Sequence, residues 1–389
     1  MEVTIERILP GGLGLAHADG RTMMVALAAP GDRLRVRIDR VKGSVAFASI
    51  EEILEPSPER VQPPCPYFGR CGGCDFQQLN YQTQLAAKIE IIKDCLHRIA
   101  RIDKVPDFEI IGAPNQWHYR ARAQWQYDAE QKRLGYFESA SRRVCDVAEC
   151  GVLVPELQAT LENLRAQMVD EALSHDARYF RAIAGDDGVS VMPSVRSTNA
   201  RQGKVDEIRR LIGDDAYTLT AEHFFQTNAD LLPRLIDAAI GDASGERAIE
   251  LYSGVGLFTL PLARRFSYVI AVEDDRDAAK QARKNLANAG LTNAEIAHTD
   301  VGDWLGSTGA LQQADFLLLD PPRAGAESRV IAGIVQLKPK QICYVSCDPA
   351  TLARDLRKLI AGGFSLDSVV AFDMFPQTHH VETVVHLSG

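Results

Sequence analysis

The spacing of apolar positions divides the chain into three stretches. Residues 1–55 alternate: MEVTIERIL and RLRVRIDRV place apolar side chains at every second position, and Gly11-Gly12 and Asp19-Gly20 mark turns between short strands. This spacing predicts a small five-stranded, OB-like barrel. A proline-rich run over 55–66, EPSPERVQPPCP, reads as a linker. The period then changes to that of a helix over 81–102, with Leu85, Ile89, Ile92, Leu96 and Ile99 on one face. Residues 110–230 read as mixed α+β, with a strand at RAQWQYD and a helix near 154–173. From Arg247 onward AIELY, YVIAVE, AEIAHTD, DFLLLDPP and QICYVSC are apolar runs separated by helical stretches. That repetition predicts an α/β, Rossmann-like, largely parallel and doubly wound sheet. The expected domains are 1–55, 56–230 and 231–389, the helix over 81–102 being free to pack on the last of them. No internal repeat or low-complexity tract appears.

Composition narrows the classes. Of 389 residues, 46% are hydrophobic and 24% charged, an ordinary globular balance. The N-terminus has no apolar h-region, and no apolar run approaches a membrane span, so a cytoplasmic protein without membrane contact is expected. A net charge of −9 counts against a nucleic-acid partner unless the basic residues are segregated. Arg33, Arg35 and Arg37 fall on one face of their strand, either as a solvated face or as a phosphate-contacting stripe. Arg40 and Lys42, and then Arg120, Arg122, Arg142 and Arg143, are further candidates. A monomer is expected.

The candidate chemistry lies at the ends of the predicted parallel strands. ELYSGVG (250–256) follows a strand, and Gly254 and Gly256 let the backbone approach a ligand. Glu273 ends the next strand, where an acid can bond ribose hydroxyls, and Asp300 ends the third, on the adenine side. A dinucleotide needs a longer phosphate-binding turn with a third glycine, so S-adenosylmethionine, which carries no phosphate, fits better than NAD. Further along come DPPR (320–323) and VSCDP (345–349). Cys343 reads as a buried thiol inside its strand, whereas Asp348-Pro349 end the strand directly after Cys347 and expose it at the ligand edge. A nucleophilic thiol suits a substrate that cannot be methylated directly, such as carbon 5 of a pyrimidine. Such a site also needs a general base and donors for a developing enolate. FDMFPQTHHVETVVHL supplies His379, His380 and Glu382 before a last apolar strand. Glu382 is the candidate base, and Arg323 and His380 are candidate substrate contacts. An amino-directed methyltransferase would place an aromatic where Arg323 stands. A 5-methylcytidine enzyme would carry a second cysteine at the Pro-Pro turn.

Eight cysteines in a chain of this class point to metal or nucleophile roles rather than a disulfide framework. Cys65, Cys71 and Cys74 lie within ten residues, and Cys150 is the candidate fourth thiolate. Four thiolates suit zinc or an iron–sulfur cluster, and spacing alone leaves both open.

Taken in order, CPYFGRCGGCDFQ, HFFQTNADLL, ELYSGVGLFTLPLA, DPPRAGA, VSCDPATLARDL and MFPQTHHVET resemble the RNA 5-methyluridine methyltransferase family over residues 65–389. The first 55 residues resemble the TRAM domain, a small RNA-binding barrel. The resemblance implies a class I methyltransferase domain with an N-terminal TRAM barrel and a central domain carrying the cysteines. It implies Cys347 as nucleophile, Glu382 as base, and Gln226, Tyr252, Glu273, Asp300 and Asp320 around S-adenosylmethionine. Leu257 stands where several relatives carry Asn, so a polar contact there is not expected. The cysteine motif implies a 4Fe–4S cluster held by Cys65, Cys71, Cys74 and Cys150, with Cys150 rather than Cys145 as last ligand. By analogy 23S ribosomal RNA is the favoured substrate. Transfer RNA, or a non-catalytic RNA-binding or assembly role, is the alternative.

Overall fold

A computed structural model describes residues 1–193, 207–307 and 314–389. Its centre is an eight-stranded sheet of β1 (Ile110–Ile111), β2 (Gly245–Leu251), β3 (Phe266–Glu273), β4 (Ala294–His298), β5 (Phe316–Leu319), β6 (Gln341–Ser346), β7 (Ser365–Phe372) and β8 (Glu382–Ser388). The order across the sheet is β4-β3-β2-β5-β6-β8-β7-β1. Strands β2 to β6 are parallel, as the repetition predicted. Both faces are covered, which is why β5 reads Phe-Leu-Leu-Leu with every residue buried. Ala248, Leu318, Cys343 and Val345 face one core; Ile249, Leu251, Leu317, Ile342 and Tyr344 face the other. Between β2 and β5 the winding reverses, and that reversal opens a crevice at the carboxyl edge of the sheet.

One strand departs from the parallel pattern. β8 runs antiparallel between β6 and β7, with Ser346 opposite Thr383 and Phe372 opposite Glu382. Its first residue therefore lies at the edge where the parallel strands end.

The helix α1 (Tyr81–Arg98) is capped by Asn80, whose side chain accepts the Thr83 N–H at 3.0 Å. It stops four residues before the expected end. Its buried face is also rotated: Ile91, Ile92, Cys95 and Leu96 are buried, Leu85, Ile89 and Ile99 only half so, and Gln84 and Lys88 are turned inside. The reason is that α1 packs on α2 (Pro349–Ala361) and shares the second core with Leu352, Leu356 and Leu359, while its polar pair reaches the segment before β8. Residues Ile208–Ile212 and Asp215–Leu219 form a hairpin whose Ile208, Tyr217 and Leu219 pack in the first core. The boundary expected at 230/231 thus does not follow the packing; the large sheet takes a helix, an edge strand and a hairpin from before it.

The remaining chain forms two smaller sheets. Strands Arg122–Asp128, Arg133–Phe137, Val144–Asp146, Tyr179–Ala184 and Val189–Met192 make an antiparallel sheet covered by the helix Pro155–Val169 through Leu157, Leu161 and Leu164. Residues 2–55 make a sheet of six strands, not five, around Val3, Ile5, Met23, Val25, Leu34 and Val36. The extra strand arises because MEVTIERIL breaks at Ile5 and Glu6, whose N–H groups turn to Asp32 O at 2.9 Å and Leu15 O at 2.8 Å. The proline-rich stretch is anchored to this sheet. Fully buried Asp32 accepts the Ser57 N–H at 2.9 Å and the Arg60 guanidinium at 2.6 Å.

The arginine stripe differs from a free phosphate-binding surface. Arg33 pairs with Glu55 at 2.6 Å and Glu2 at 3.1 Å, Arg35 with Glu52 and Glu2, and Arg37 with Asp39 at 3.2 Å. Antiparallel pairing put carboxylates of neighbouring strands beside each cation, which single-strand periodicity does not reveal. No helix among the described residues is long and apolar enough to cross a membrane.

Candidate active site

The turn after β2 brings the backbone to the crevice. Tyr252 takes φ 65°, Gly254 φ 56° and Gly256 φ 94°. A left-handed conformation at a tyrosine is strained and is retained where a site needs it. A Cβ on Gly254 would meet no atom within 4 Å, so open space lies beside it. Glu273, at the end of β3, accepts the Gly254 N–H at 2.7 Å and the Asp275 N–H at 2.8 Å. Buried Ser253 leaves its Oγ without a partner among the described residues.

Carboxyl groups converge on this edge. Burial lifts Glu250 to about 8, with the nearby Asp320 and Glu273 charges adding to it although Thr259 Oγ1 donates to it. Burial likewise lifts Glu273 to about 7, against two backbone donors, and Asp320 to about 7, against a hydrogen bond from Gln226. Glu250 was not singled out from sequence; an acid inside an otherwise apolar strand was the available signal. Burial disfavours the charged forms of all three acids, and a cation bound among them would restore those forms where an anion would not. A sulfonium with an amino group satisfies that demand. Asp300 Oδ1 accepts the Asp303 N–H at 2.9 Å and pairs with Arg329 at 3.0 Å. Leu257 packs in the first core, and its carbonyl accepts the Tyr217 hydroxyl at 2.9 Å.

The reactive groups meet at the ends of β6 and β8. Carrying the β6–β8 register one residue beyond Ser346 and Thr383 sets Cys347 opposite Glu382. Burial pushes the Cys347 thiol up to about 12; Glu382, Asp320 and Asp348 add to this and Arg323 opposes it. Burial also holds the Glu382 carboxyl well above its usual range, Asp320 reinforcing and Arg323 opposing. Glu382 is 1% exposed, and its Oε1 has no partner among the described residues. His380, half-buried, is pushed down to about 3 by burial and by His379, Arg323, Lys88 and Arg120, so it is neutral near pH 7. The sequence candidates Cys347, Glu382, Asp320 and Arg323 are thus brought together, with His380 within the field of Arg323.

The motif after Cys347 explains how the DPPR turn is held. Asp348 caps α2 by accepting the Ala350 and Thr351 N–H groups at 3.0 and 2.8 Å. Thr351 donates to Arg323 O at 3.2 Å, and Arg354 to Ala324 O at 3.0 Å. Buried Asp355 accepts the Ala326 N–H and the Tyr344 hydroxyl, each at 2.9 Å. Gly325, at φ 74°, has room for no side chain, because a Cβ would lie 2.5 Å from Arg354 Nη2 and 2.6 Å from Asp355 Oδ2. These supporting residues were missed from sequence; an acid on the apolar face of α2 was the signal for Asp355. The FFQTN loop is held in turn by the central domain, with Ala121 N–H donating to Thr227 O at 2.8 Å. Phe224 in that loop is 64% exposed and lies 5.4 Å beneath the Arg122 guanidinium.

Cys65, Cys71, Cys74 and Cys150 line one cavity together with Tyr67 and Tyr136. Cys145 does not line it; its buried thiol accepts from Arg70 Nε at 3.3 Å. Burial raises the Cys71 thiol to about 11 and the Cys74 thiol to about 12, and neighbouring thiols add to both, a set that a bound cation would relieve. As placed, no three His, Cys, Asp or Glu side chains among the described residues are drawn to ligating distance of one metal ion.

The chain matches a family model described as tRNA (uracil-5-)-methyltransferase over residues 199–305 and 309–389. An uncharacterized RNA methyltransferase of Halalkalibacterium halodurans is 31% identical, the alignment covering 100% of this chain and 96% of that protein. The 23S rRNA (uracil(1939)-C(5))-methyltransferase of Pseudomonas putida is 33% identical over 98% of this chain and 92% of that protein. Among solved structures, Pyrococcus abyssi tRNA (uracil-54, C5)-methyltransferase in complex with S-adenosyl-L-homocysteine superposes with a TM-score of 0.77 at 26% identity, covering 100% of both chains.

Proposed function

The chain belongs to the RNA (uracil-5-)-methyltransferase family and has its class I methyltransferase fold, and from that premise we propose that it methylates carbon 5 of a uridine in 23S ribosomal RNA. The observation that carries the mechanism is the register that sets Cys347 against Glu382 at the edge of the crevice. S-adenosylmethionine supplies a methyl group on a sulfonium. Cys347 adds as thiolate to carbon 6 of the uracil, and the electron pair moves to an enolate whose carbon 5 takes the methyl group. Glu382 then removes the proton from carbon 5, the double bond re-forms and the thiolate leaves. Glu382 accepts the proton in its ionised form, which burial disfavours and the Arg323 guanidinium supports. Arg323 and neutral His380 orient the base.

Gln226, Tyr252, Gly254, Gly256, Leu257, Glu273, Asp300 and Asp320 surround the cofactor in this reading. The target uridine is extruded from its stack to reach the thiol, at a cost of a few kcal/mol. The central domain and the TRAM-like N-terminal sheet hold the RNA around it. Cys65, Cys71, Cys74 and Cys150 would hold the 4Fe–4S cluster, four thiols lining one cavity being the support for it. A cluster there would be a structural clamp, since methyl transfer moves no electrons. The protein acts as a cytoplasmic monomer. The favoured RNA follows from the ribosomal relatives; the transfer-RNA enzyme is the more distant match in identity.

The test is release of tritium from 5-tritiated uridine RNA with S-adenosylmethionine, followed by mapping of 5-methyluridine in ribosomal and transfer RNA of a deletion strain. Release together with loss of one ribosomal 5-methyluridine is expected. Tight RNA binding without release would make the protein a binding factor, and a loss confined to transfer RNA would reassign the substrate.

A further inference from the structure

The segment before β8 delivers both His380 and Glu382, yet the residues that hold it come from far earlier in the chain. Asp75, the residue after Cys74, accepts the His379 N–H at 2.8 Å through Oδ1 and meets His379 Nδ1 at 2.5 Å through Oδ2. The N–H groups of Asp75 and Phe76 both donate to Gln377 O, at 3.1 and 3.0 Å. Gln377 itself stands at φ 70°, a conformation that a non-glycine residue holds only when its surroundings insist. The His379 ring lies 4.1 Å from that of His380, which packs edge-on against Phe375 at 6.0 Å. The N-terminal sheet closes on the same point. A Cβ on Gly12, at φ 79°, would lie 3.1 Å from His379 Cβ and 3.2 Å from Asp75 Oδ2.

We propose that Asp75 and His379 are positioning residues of the methyl transfer: their pairing locks the cysteine-bearing loop to the loop that sets His380 and Glu382 in the crevice. The inference rests on the function proposed above. The cysteine loop then acts on the reaction mechanically, through four hydrogen bonds between 75–76 and 377–379. Neither Asp75 nor His379 needs to touch the uracil.

The experiment is a double-mutant cycle of Asp75→Ala and His379→Ala in the protein as purified with its native cofactors, with His379→Asn as the rescue, since an amide nitrogen can replace Nδ1. Each single alanine variant should lower kcat about tenfold while the KM for S-adenosylmethionine moves less than about twofold. The double variant should be no slower than the worse single one, because one pairing is lost in each case. His379→Asn should recover most of the rate. Amide exchange over 376–382 should quicken in the alanine variants while iron and acid-labile sulfide stay at wild-type content. Wild-type rates in the single variants, multiplicative losses in the double, or an asparagine variant no better than alanine would each overturn the assignment. So would loss of iron in step with activity, which would limit Asp75 to holding the cysteine loop's own contents. If the wild-type protein released no tritium, the function would fall. The exchange measurement would still test the lock, with unchanged exchange in Asp75→Ala counting against it.

Discussion

Cys343 and Cys347 stand four residues apart, and their surroundings divide them. Cys343 is fully buried inside β6, whereas Cys347 is half-buried one residue past the strand, facing Glu382. That division was legible from Asp348-Pro349, which end the strand, whereas the degree of burial of Glu382 was not. Cys347→Ala should abolish turnover and any denaturation-resistant protein–RNA adduct. Glu382→Gln should accumulate that adduct, because methylation proceeds while proton removal stalls; gel mobility under denaturing conditions reads both. The pH dependence follows from the thiol. With its pKa pushed up to about 12, Cys347 is protonated at neutral pH, and its thiolate fraction climbs with pH over the accessible range. Alkylation of Cys347 in the free protein should therefore quicken about tenfold per pH unit. S-adenosylmethionine should lower the thiol pKa and raise that rate at fixed pH more than S-adenosylhomocysteine, which lacks the sulfonium charge. Mass spectrometry of the alkylated peptide checks the order, and equal rates with the two ligands would remove the sulfonium from the activation of the thiol.

Among the elements, α1 shows where periodicity stops being informative. Its apolar repeat announced a helix, but not that Gln84 and Lys88 would be buried along with its apolar face. Lys88 and Asp373 form an ion pair with both side chains 0% exposed, and Lys88 also donates to Phe375 O at 3.1 Å. Gln84 bonds Gln377 at both its amide nitrogen and oxygen, at 3.1 and 2.9 Å. A helix from the central stretch is in this way the support of the segment before β8. Lys88→Ala leaves the Asp373 carboxyl buried without its Lys88 partner, which costs roughly 3–5 kcal/mol. Thermal unfolding of the variant should show a large drop in midpoint, and the pair Lys88→Met with Asp373→Leu should regain most of it. A midpoint unchanged in Lys88→Ala would mean that the pair is solvated in solution. The cap of α2 is local in sequence, but its hold on the DPPR turn spans 28 and 30 residues, which is why those supporting contacts were missed.

At the scale of the molecule, charge is distributed in a way that net charge conceals. Arg33, Arg35 and Arg37 are matched by carboxylates, whereas Arg122 is pushed down to about 10 by burial and by Arg181 and Arg120. Its Nε has no partner among the described residues, and it lies over exposed Phe224 at the mouth of the FFQTN loop. RNA phosphates would relieve that repulsion. Arg122→Gln should flatten the dependence of log affinity on log salt by about 0.7, one phosphate contact to a single strand, and Arg33→Gln should change it far less. A larger effect at Arg33 would return the basic surface to the N-terminal sheet. The division between what was readable and what was not follows from sequence distance. Strand runs, turn glycines, the acids at strand ends and the thiol just past its strand are set by neighbours a few residues away, so the order of residues alone determined them. The opposition of Cys347 and Glu382, the inward turn of Lys88 to a partner 285 residues on, and the meeting of Asp75 with His379 across 304 residues were decided only by the folded chain. Antiparallel insertion of β8 and docking of α1 are set by the free energy of packing two whole cores, a sum over contacts that no local pattern carries.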